Sequence, residues 1–116
     1  MEKFMFLFRG GDTHVHNAKD SEEVRAYIQS WITWQQGLAE KGILVGGQPL
    51  QGTGKQVNGK NKVVTDGPFV AANETVGGYL IVNAQDINEA VEIAKGCPIF
   101  EEDGKLEVRP IQFQQL

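Results

Sequence analysis

The stretch that decides the fold is VGGYLIVNAQDINEAVEIAKGCP, residues 76–98. Its first part is rich in β-branched and aromatic residues, which predicts a strand. Asp86 and Glu89 form a capping box, so a helix is expected to begin there. Gly96 and Pro98 end that helix, because glycine favours the C-terminal cap and proline cannot continue a helix. The helix is expected to turn its apolar residues inward: Ile87, Ala90, Val91, Ile93 and Ala94.

The same order of strand and helix occurs nearer the start of the chain. Phe4–Phe8 is a continuous apolar run that predicts a strand buried on both faces. Asp20 and Glu23 form a second capping box, and Lys41–Gly42 ends the helix that follows. Apolar residues recur along this helix at helical spacing: Val24, Tyr27, Ile28, Trp31, Trp34 and Leu38.

Further strands are expected between and after the two helices. Ile43–Val45 predicts a short strand that ends at the glycine pair following it. Thr53–Val57 and Lys62–Asp66 are expected to pair as a hairpin around Asn58–Gly59, a dipeptide typical of tight turns. A last strand is expected over Leu106–Phe113.

The order of these elements predicts a single α+β domain over residues 1–116. Two β-α-β halves with an inserted hairpin form a ferredoxin-like sandwich, in which both helices cover one face of an antiparallel sheet. Phe4–Phe8 and Tyr79–Val82 are apolar on both sides, so the other face of the sheet must also be covered. A homodimer whose sheets close face to face or edge to edge provides that cover.

Charge and composition limit which binding partners and which cellular compartment we expect for the protein. The net charge is −4 and the eleven Lys and Arg residues are scattered, whereas a nucleic-acid partner needs a clustered basic face. No apolar run approaches the roughly 20 residues of a membrane span, and Met1–Arg9 is too short for a signal peptide. The single cysteine, Cys97, suits a reducing compartment and is expected to be a buried structural thiol. We therefore expect a cytoplasmic protein that binds neither nucleic acid nor membrane.

Asp66 is the main candidate for function. It lies in VVTDGPF, residues 63–69, where a β-branched run meets a corner that Gly67 and Pro68 force to turn sharply. A short carboxylate at this strand end can serve a ligand as a general acid or base. It can equally accept backbone N–H bonds and brace the turn. Both interpretations remain open from the residues alone.

Arg109 lies in the last strand, and a buried arginine needs a partner. Asp66 or Glu74 can pair with it across the sheet, or its guanidinium can hold an anionic ligand. Tyr79 follows two glycines and can offer its hydroxyl to a cavity. We place Glu74 and Tyr79 among the expected ligand-binding residues, and Arg109 beside Asp66 as the group that stabilises negative charge.

The two histidines complete the set of expected ligand-binding residues. His14 and His16 point the same way if their segment is extended, as two metal ligands do. Asp12 or Asp66 can supply a carboxylate, but nothing in the sequence fixes a third ligand. No metal is therefore assigned. Solvated loop histidines are the default expectation, and the functional alternative is a titrating loop over a small-molecule pocket.

The stretch from Val64 to Phe69 resembles the DGPF signature of the YCII-related proteins. This resemblance runs from about Asp20 to Ile111, and it implies a dimeric α-β barrel related to the ferredoxin-like fold. Other residues match the same family: Trp34, Leu38, Lys41–Leu44, Gly47–Leu50, Glu74, Gly77–Tyr79, Glu89–Ala94, Gly96–Pro98 and Glu107–Ile111.

The resemblance implies less about activity than about fold. The fold is shared with muconolactone isomerases and small cofactor-free monooxygenases, which implies an enzyme that transfers a proton in a lyase or isomerase type of reaction, with no cofactor. Some DGPF-type members are associated with alternative sigma factors. This implies the alternative, a non-enzymatic ligand-binding or regulatory accessory protein linked to transcription control. The histidine that the YCII branch carries on its first helix has no counterpart between Asp20 and Lys41, so a helix-borne His–Asp pair is not transferred.

Overall fold

The structure, a computed structural model, describes residues 1–10, 22–66, 75–102 and 104–112. The expected N-cap Asp20 and the corner at Gly67–Phe69 lie outside these ranges. The described elements in chain order are β1 (Glu2–Arg9), α1 (Glu22–Glu40), β2 (Leu44–Pro49), β3 (Lys55–Asn58), β4 (Val63–Asp66), β5 (Val76–Ala84), α2 (Ile87–Ala94), a short 3-10 helix (Pro98–Glu102) and β6 (Lys105–Pro110).

Four of the strands form one antiparallel sheet in the order β2-β5-β1-β6, and β3 pairs with β4 in a separate hairpin. Phe4 lies opposite Val82 on β5 and opposite Pro110 on β6, which fixes β1 in the centre of the sheet. Both helices supply residues to the core on one face of this sheet. The predicted ferredoxin-like α+β architecture is therefore confirmed.

The alternation of side chains along β1 separates the two faces of the sheet. Phe4, Phe6 and Phe8 are buried towards the helices, whereas Met5 and Leu7 on the other face are only half-buried. One chain leaves this second face uncovered, so the expected burial of both faces requires the second copy and stays a prediction. The helices cover one face only, and successive side chains of a strand point to opposite faces.

Helix α1 ends as its sequence predicts. Gly42 adopts a φ of 73°, which glycine reaches without steric cost, and the Ile43 N–H donates to the Leu38 carbonyl at 2.9 Å. Val24, Tyr27 and Leu38 are buried, as expected for the inward face of this helix. Ile28 differs from the expectation, because 44% of its surface remains exposed.

Helix α2 begins at the predicted capping box. The Asp86 carboxylate accepts from the Glu89 N–H at 2.9 Å, and the Glu89 carboxylate accepts from the Gln85 N–H at 3.0 Å. The inward face of α2 is narrower than predicted, since Ile87 and Val91 are 43% and 37% exposed. This helix has only eight residues and turns a two-alanine face, Ala90 and Ala94, to the sheet.

Strand β2 passes through the glycine pair that was expected to end it. A Cβ built on Gly47 lies 2.8 Å from the Leu80 Cα, a distance that no side chain tolerates. The pairing of β2 with β5 shifts register between Leu44 and Gly46. Gly47 therefore marks a close approach of two backbones rather than a strand end.

The hairpin is confirmed, with a longer loop than the Asn58–Gly59 pair predicts. Four residues, 59–62, connect β3 to β4, and the Lys62 N–H donates to the Gly59 carbonyl at 3.1 Å. Gly59 and Lys62 both have positive φ, 67° and 56°.

The last strand, β6, is shorter than predicted and ends at Pro110. Neither described helix is long and apolar enough to cross a membrane.

Candidate functional site

A cavity of about 660 Å³ lies between α1 and the ends of β2 and β5 that carry Pro49 and Val76. Its floor is the helix-facing side of the sheet, including Gly78 and Leu80, and its roof is α1. A Cβ at Gly78 would lie 3.0 Å from the Gln48 carbonyl oxygen, so a side chain there would require the neighbouring backbone to shift by a few tenths of an ångström. The glycines at this end of the sheet let β2 and β5 approach closely.

One wall of the cavity is a connected set of aromatic rings. Trp31 meets Phe8 edge to face with ring centroids 5.0 Å apart, and it meets Tyr27 in the same manner at 6.3 Å. Trp34 adjoins this wall from the core side, 6.0 Å from Trp31 and stacked at 6.4 Å on Phe6. Edge-to-face contacts of this kind fix the ring orientations, so the wall is rigid.

Among the described residues that line the cavity, the polar ones carry amides and hydroxyls. Gln35 of α1 and Gln51 after β2 are lining residues with amides, and Thr75 is one with a hydroxyl. Gln48 and Tyr79 also line the cavity, but their register beside Leu7 places their side chains on the outer face of the sheet. Each of these groups can both donate and accept a hydrogen bond. The cavity therefore combines an apolar aromatic wall with hydrogen-bonding groups that suit ring substituents such as hydroxyl or carbonyl oxygens.

Tyr27 is a buried residue of the aromatic wall, and it carries the hydroxyl group of that wall. It is 8% exposed, and burial raises the pKa of its phenol above the ordinary value of 10.0. A side-chain hydrogen bond with Trp31 partly opposes this rise in pKa. The Tyr27 hydroxyl is therefore protonated at neutral pH and can donate to an acceptor.

Asp66, the main candidate from the sequence, lies at the end of β4 and is exposed. Its carboxylate accepts a hydrogen bond from the Lys55 ammonium at 2.5 Å, directly across the hairpin. Its side chain is 77% exposed, and it is not among the described residues that line the cavity. The predicted acid–base role of Asp66 stays a prediction.

Arg109 is on the outer face of the edge strand β6, and its predicted burial is wrong. Its side chain is 66% exposed and its Nε lies 3.7 Å from the Glu107 carboxylate. Glu107 also accepts from Arg9 at 3.2 Å. An edge strand leaves this side of the sheet open to water, which explains why Arg109 needs no buried partner within one chain. Its predicted role towards an anion stays a prediction.

Comparison with known proteins identifies the family of the chain. A family model of the YCII-related domain matches residues 3–113, nearly the whole sequence. The chain belongs to the YCII-related family. No curated protein matches it significantly.

One protein of known structure has a fold similar to that of this YCII-related chain. It is the 5-chloro-2-hydroxyhydroquinone dehydrochlorinase (TftG) of Burkholderia phenoliruptrix AC1100, in complex with 2,5-dihydroxybenzoquinone. The two share 14% sequence identity with a TM-score of 0.52, over 97% of this chain and 95% of that one. The likeness is one of fold.

Three of the expected ligand-binding residues, His14, His16 and Glu74, lie outside the described residues. The fourth, Tyr79, is one of the residues that line the cavity. Among the described residues, no three His, Cys, Asp or Glu side chains are grouped as a metal site requires.

Cys97 is buried as predicted, on the helix side of the sheet. It is 4% exposed, and burial raises the pKa of its thiol to about 12. The weak hydrogen bond from the Ile99 N–H to its sulfur, at 3.5 Å, only partly opposes that rise. Such a thiol stays protonated and unreactive at neutral pH.

Sequence reasoning missed the cavity wall itself. The sequence places Trp31 and Tyr27 only among the apolar residues of α1, and Phe8 only at the end of a buried strand. One feature of the sequence indicates the cavity. The apolar stripe of α1 is wider than the area of the helix that contacts the sheet. Its outer members, Ile28 and Ile32, are 44% and 43% exposed and line the cavity.

Proposed function

We propose that this YCII-related protein binds a small planar organic molecule in the cavity between α1 and the sheet. The observation that carries the proposal is a cavity of about 660 Å³ with a rigid aromatic wall formed by Phe8, Tyr27 and Trp31. Small-molecule sites typically have volumes of about 300–1,000 Å³, mostly apolar walls and a few fixed polar groups. This cavity has all three properties.

The polar groups of the cavity favour a ring that carries hydroxyl or carbonyl oxygens. Gln35 and Gln51 carry amides that donate and accept, and Tyr27 carries a protonated hydroxyl. A dihydroxybenzoquinone occupies a protein of similar fold, which supports a quinone or hydroquinone as the ligand class. We name that class as the first to test.

We further propose that the protein is an enzyme of the lyase or isomerase type that transfers a proton without a cofactor. The named activity of the protein with a similar fold, a dehydrochlorinase, supports this. In this proposal Tyr27 donates a hydrogen bond to a ring oxygen and stabilises negative charge that develops there. Asp66 is exposed and bonded to Lys55 in one chain, so the proposal assigns it to the hairpin rather than to proton transfer.

A non-enzymatic binding protein, regulatory and linked to transcription, is the second candidate. One observation favours it: the titratable side chains among the described lining residues are those of Tyr27 and Tyr79. A phenol is a poor general base at neutral pH, because its ordinary pKa is about 10. Binding without chemistry needs only the aromatic wall and the amides.

The test measures binding and turnover separately. Calorimetric titration with 2,5-dihydroxybenzoquinone and with hydroquinone measures binding, and chloride release from 5-chloro-2-hydroxyhydroquinone measures turnover. Trp31→Leu removes part of the wall, and Phe100→Leu, at a 48% exposed aromatic residue outside the cavity lining, is the matched control. We expect Trp31→Leu to weaken binding about tenfold, as loss of a buried aromatic contact does, with no change in Phe100→Leu.

The outcomes separate the candidates. Saturable binding with chloride release supports the enzyme, and saturable binding without it supports the accessory protein. Binding that Trp31→Leu and Phe100→Leu leave equally strong contradicts the proposed cavity, and absence of binding by both ring compounds contradicts the ligand class.

We also propose that the protein is a homodimer and that its compartment is the cytoplasm. Met5, Leu7 and Ile81 form a half-buried apolar strip on the outer face of the sheet, and a second copy can remove it from water. The buried free thiol of Cys97 fits a reducing compartment. Sedimentation velocity tests the assembly: we expect twice the 12.8 kDa mass of one chain, and a monomer at all concentrations contradicts it.

A further inference from the structure

The hairpin of β3 and β4 stands apart from the rest of the fold. Lys55–Asn58 and Val63–Asp66 pair with each other in register, and each packs chiefly against the other. An isolated two-stranded hairpin is at best marginally stable in water. A hairpin in this position therefore gains stability by packing against another surface.

The side chains of this hairpin divide between a polar face and an apolar one. On the polar face the Gln56 amide donates to Asn58 at 2.6 Å, and the Asn58 amide donates to the Val63 carbonyl at 3.3 Å. On the other face Val57 lies directly opposite Val64. The polar face carries the exposed Val63 beside these hydrogen-bonded groups, whereas the opposite face carries a pair of valines and is the more apolar of the two.

The valine face carries an ion pair at one end. Val57 and Val64 are 64% and 56% exposed, and Lys55 and Asp66, two residues away on the same face, bond to each other. The side chains of Lys55 and Asp66 are 69% and 77% exposed. We call these four residues the hairpin patch.

The outer face of the main sheet also combines apolar and charged residues. Met5 and Leu7 lie at its centre, and their cross-strand neighbours on β6 are Arg109 and Glu107 respectively. Arg109 is 66% exposed beside the 41% exposed Glu107. Glu107 also bonds to Arg9 at 3.2 Å, so this sheet patch has apolar residues beside two arginines and one glutamate.

We propose that the hairpin patch of one copy packs on the sheet patch of a second copy, with Asp66 facing Arg109 of the partner subunit. The inference rests on the proposed homodimer and names the surfaces that form it. Opposite charges on the two patches give the contact its register, as charge complementarity does at protein interfaces.

The topology allows both copies to make this contact at once. The hairpin joins β2 to β5 at one side of the sheet, whereas Arg109 lies on β6 at the opposite side, since the strand order is β2-β5-β1-β6. A two-fold axis that sets the hairpin of one copy above the partner's β6 brings each hairpin to the other's sheet patch. The contact is then isologous, as closed dimers require.

The experiment reverses the polarity of the hairpin without removing its ion pair. Lys55→Asp combined with Asp66→Lys keeps opposite charges within the hairpin but sets a cation against the partner's Arg109. We expect the dissociation constant of the dimer to rise about tenfold, because like charges face each other. Adding Arg109→Glu is expected to restore it to within about threefold of the wild-type value.

Two further variants keep the test sharp. The swap of the Glu92–Lys95 pair on α2, which is equally exposed at 70% and 65%, controls for altered surface charge and is expected to leave dimerisation unchanged. Val57→Ser with Val64→Ser removes the apolar contact and is expected to weaken the dimer while the cavity of each chain still binds its ligand.

Sedimentation velocity gives results that distinguish the two proposals. A wild-type monomer at all concentrations contradicts the homodimer. A wild-type dimer that tolerates the hairpin swap, or that Arg109→Glu fails to restore, contradicts only the hairpin contact. If the valine variants weaken a dimer that is insensitive to both charge changes, the hairpins pack on each other rather than on the sheet patch.

Discussion

The Trp31 indole meets the Phe8 ring edge to face at a centroid distance of 5.0 Å, and both rings line the cavity beneath α1. Phe8 comes from the centre of the sheet and Trp31 from the helix that covers it. This contact sets the aromatic wall at the junction of the two layers. The aromatic wall of the proposed ligand site is thus carried by a helix and a strand rather than by a loop.

Removing the Tyr27 hydroxyl is expected to weaken ligand binding more than it weakens the fold. Tyr27→Phe keeps the ring that contacts Trp31 but loses the hydroxyl that we propose as a donor to the ligand. One such hydrogen bond is worth about 1 kcal/mol, so we expect roughly a fivefold loss of affinity for hydroquinone. Calorimetric titration checks this, with urea denaturation as the control for folding. Equal affinities in the two proteins contradict a role for the hydroxyl.

Gly47→Ala is expected to destabilise the protein. The added methyl lies 2.8 Å from the Leu80 Cα, so β2 has to move away from β5. Forced overpacking of this kind typically costs about 1–3 kcal/mol of unfolding free energy. The matched control is Gly46→Ala on the same strand, where the added methyl meets no atom within 4 Å. Equal urea denaturation midpoints for the two variants contradict the close approach.

The N-cap of α2 provides a second test of stability. Asp86→Ala leaves the Glu89 N–H without its side-chain acceptor, and loss of an N-cap costs about 1 kcal/mol. We expect Tm to fall by roughly 4 °C, as measured by calorimetry. Glu92→Ala, which removes an exposed ion pair with Lys95, is the control and is expected to change Tm much less. A larger effect at Glu92 than at Asp86 contradicts this ranking.

The buried thiol predicts how stability depends on pH. Burial raises the pKa of Cys97 from 9.0 to about 12, so the folded state keeps the proton over a range where the unfolded chain loses it. The resulting stabilisation is complete below pH 9 and is lost as the pH rises towards 12. Over that range we expect the unfolding free energy to fall by about 1.4 kcal/mol per pH unit more in the wild type than in Cys97→Ala. Parallel profiles from urea denaturation in reductant contradict this.

Local signals predicted most of the fold. Capping residues such as Asp86 and the glycine stop at Gly42 act within one turn of chain, so they can be read from the sequence. Gly47 could not be read correctly, because its conformation depends on Leu80, a residue of another strand. The alternation of buried and half-buried side chains along Phe4–Phe8 could not be predicted for a similar reason. Both faces of the strand are apolar, and only the position of the helices determines which face is buried.

The candidate site was harder to predict than the fold. Asp66 was a candidate because the residues that follow it force a turn. Its exposure to solvent depends instead on the distance between the hairpin and the sheet, which the local sequence does not determine. Trp31 looked like a core residue, because helical spacing shows which face is apolar but not whether a gap lies beneath it. Cavities arise from the distance between layers, which no local pattern records.

The most direct test of the cavity as the ligand site uses the two tryptophan indoles of the chain. Trp31 and Trp34 give two indole N–H signals in a ¹H–¹⁵N spectrum, and only Trp31 lines the cavity beneath α1. Titration with hydroquinone and with 2,5-dihydroxybenzoquinone is predicted to shift the Trp31 signal saturably and further than that of Trp34. Signals that do not shift, or that shift without saturation, contradict the proposed site.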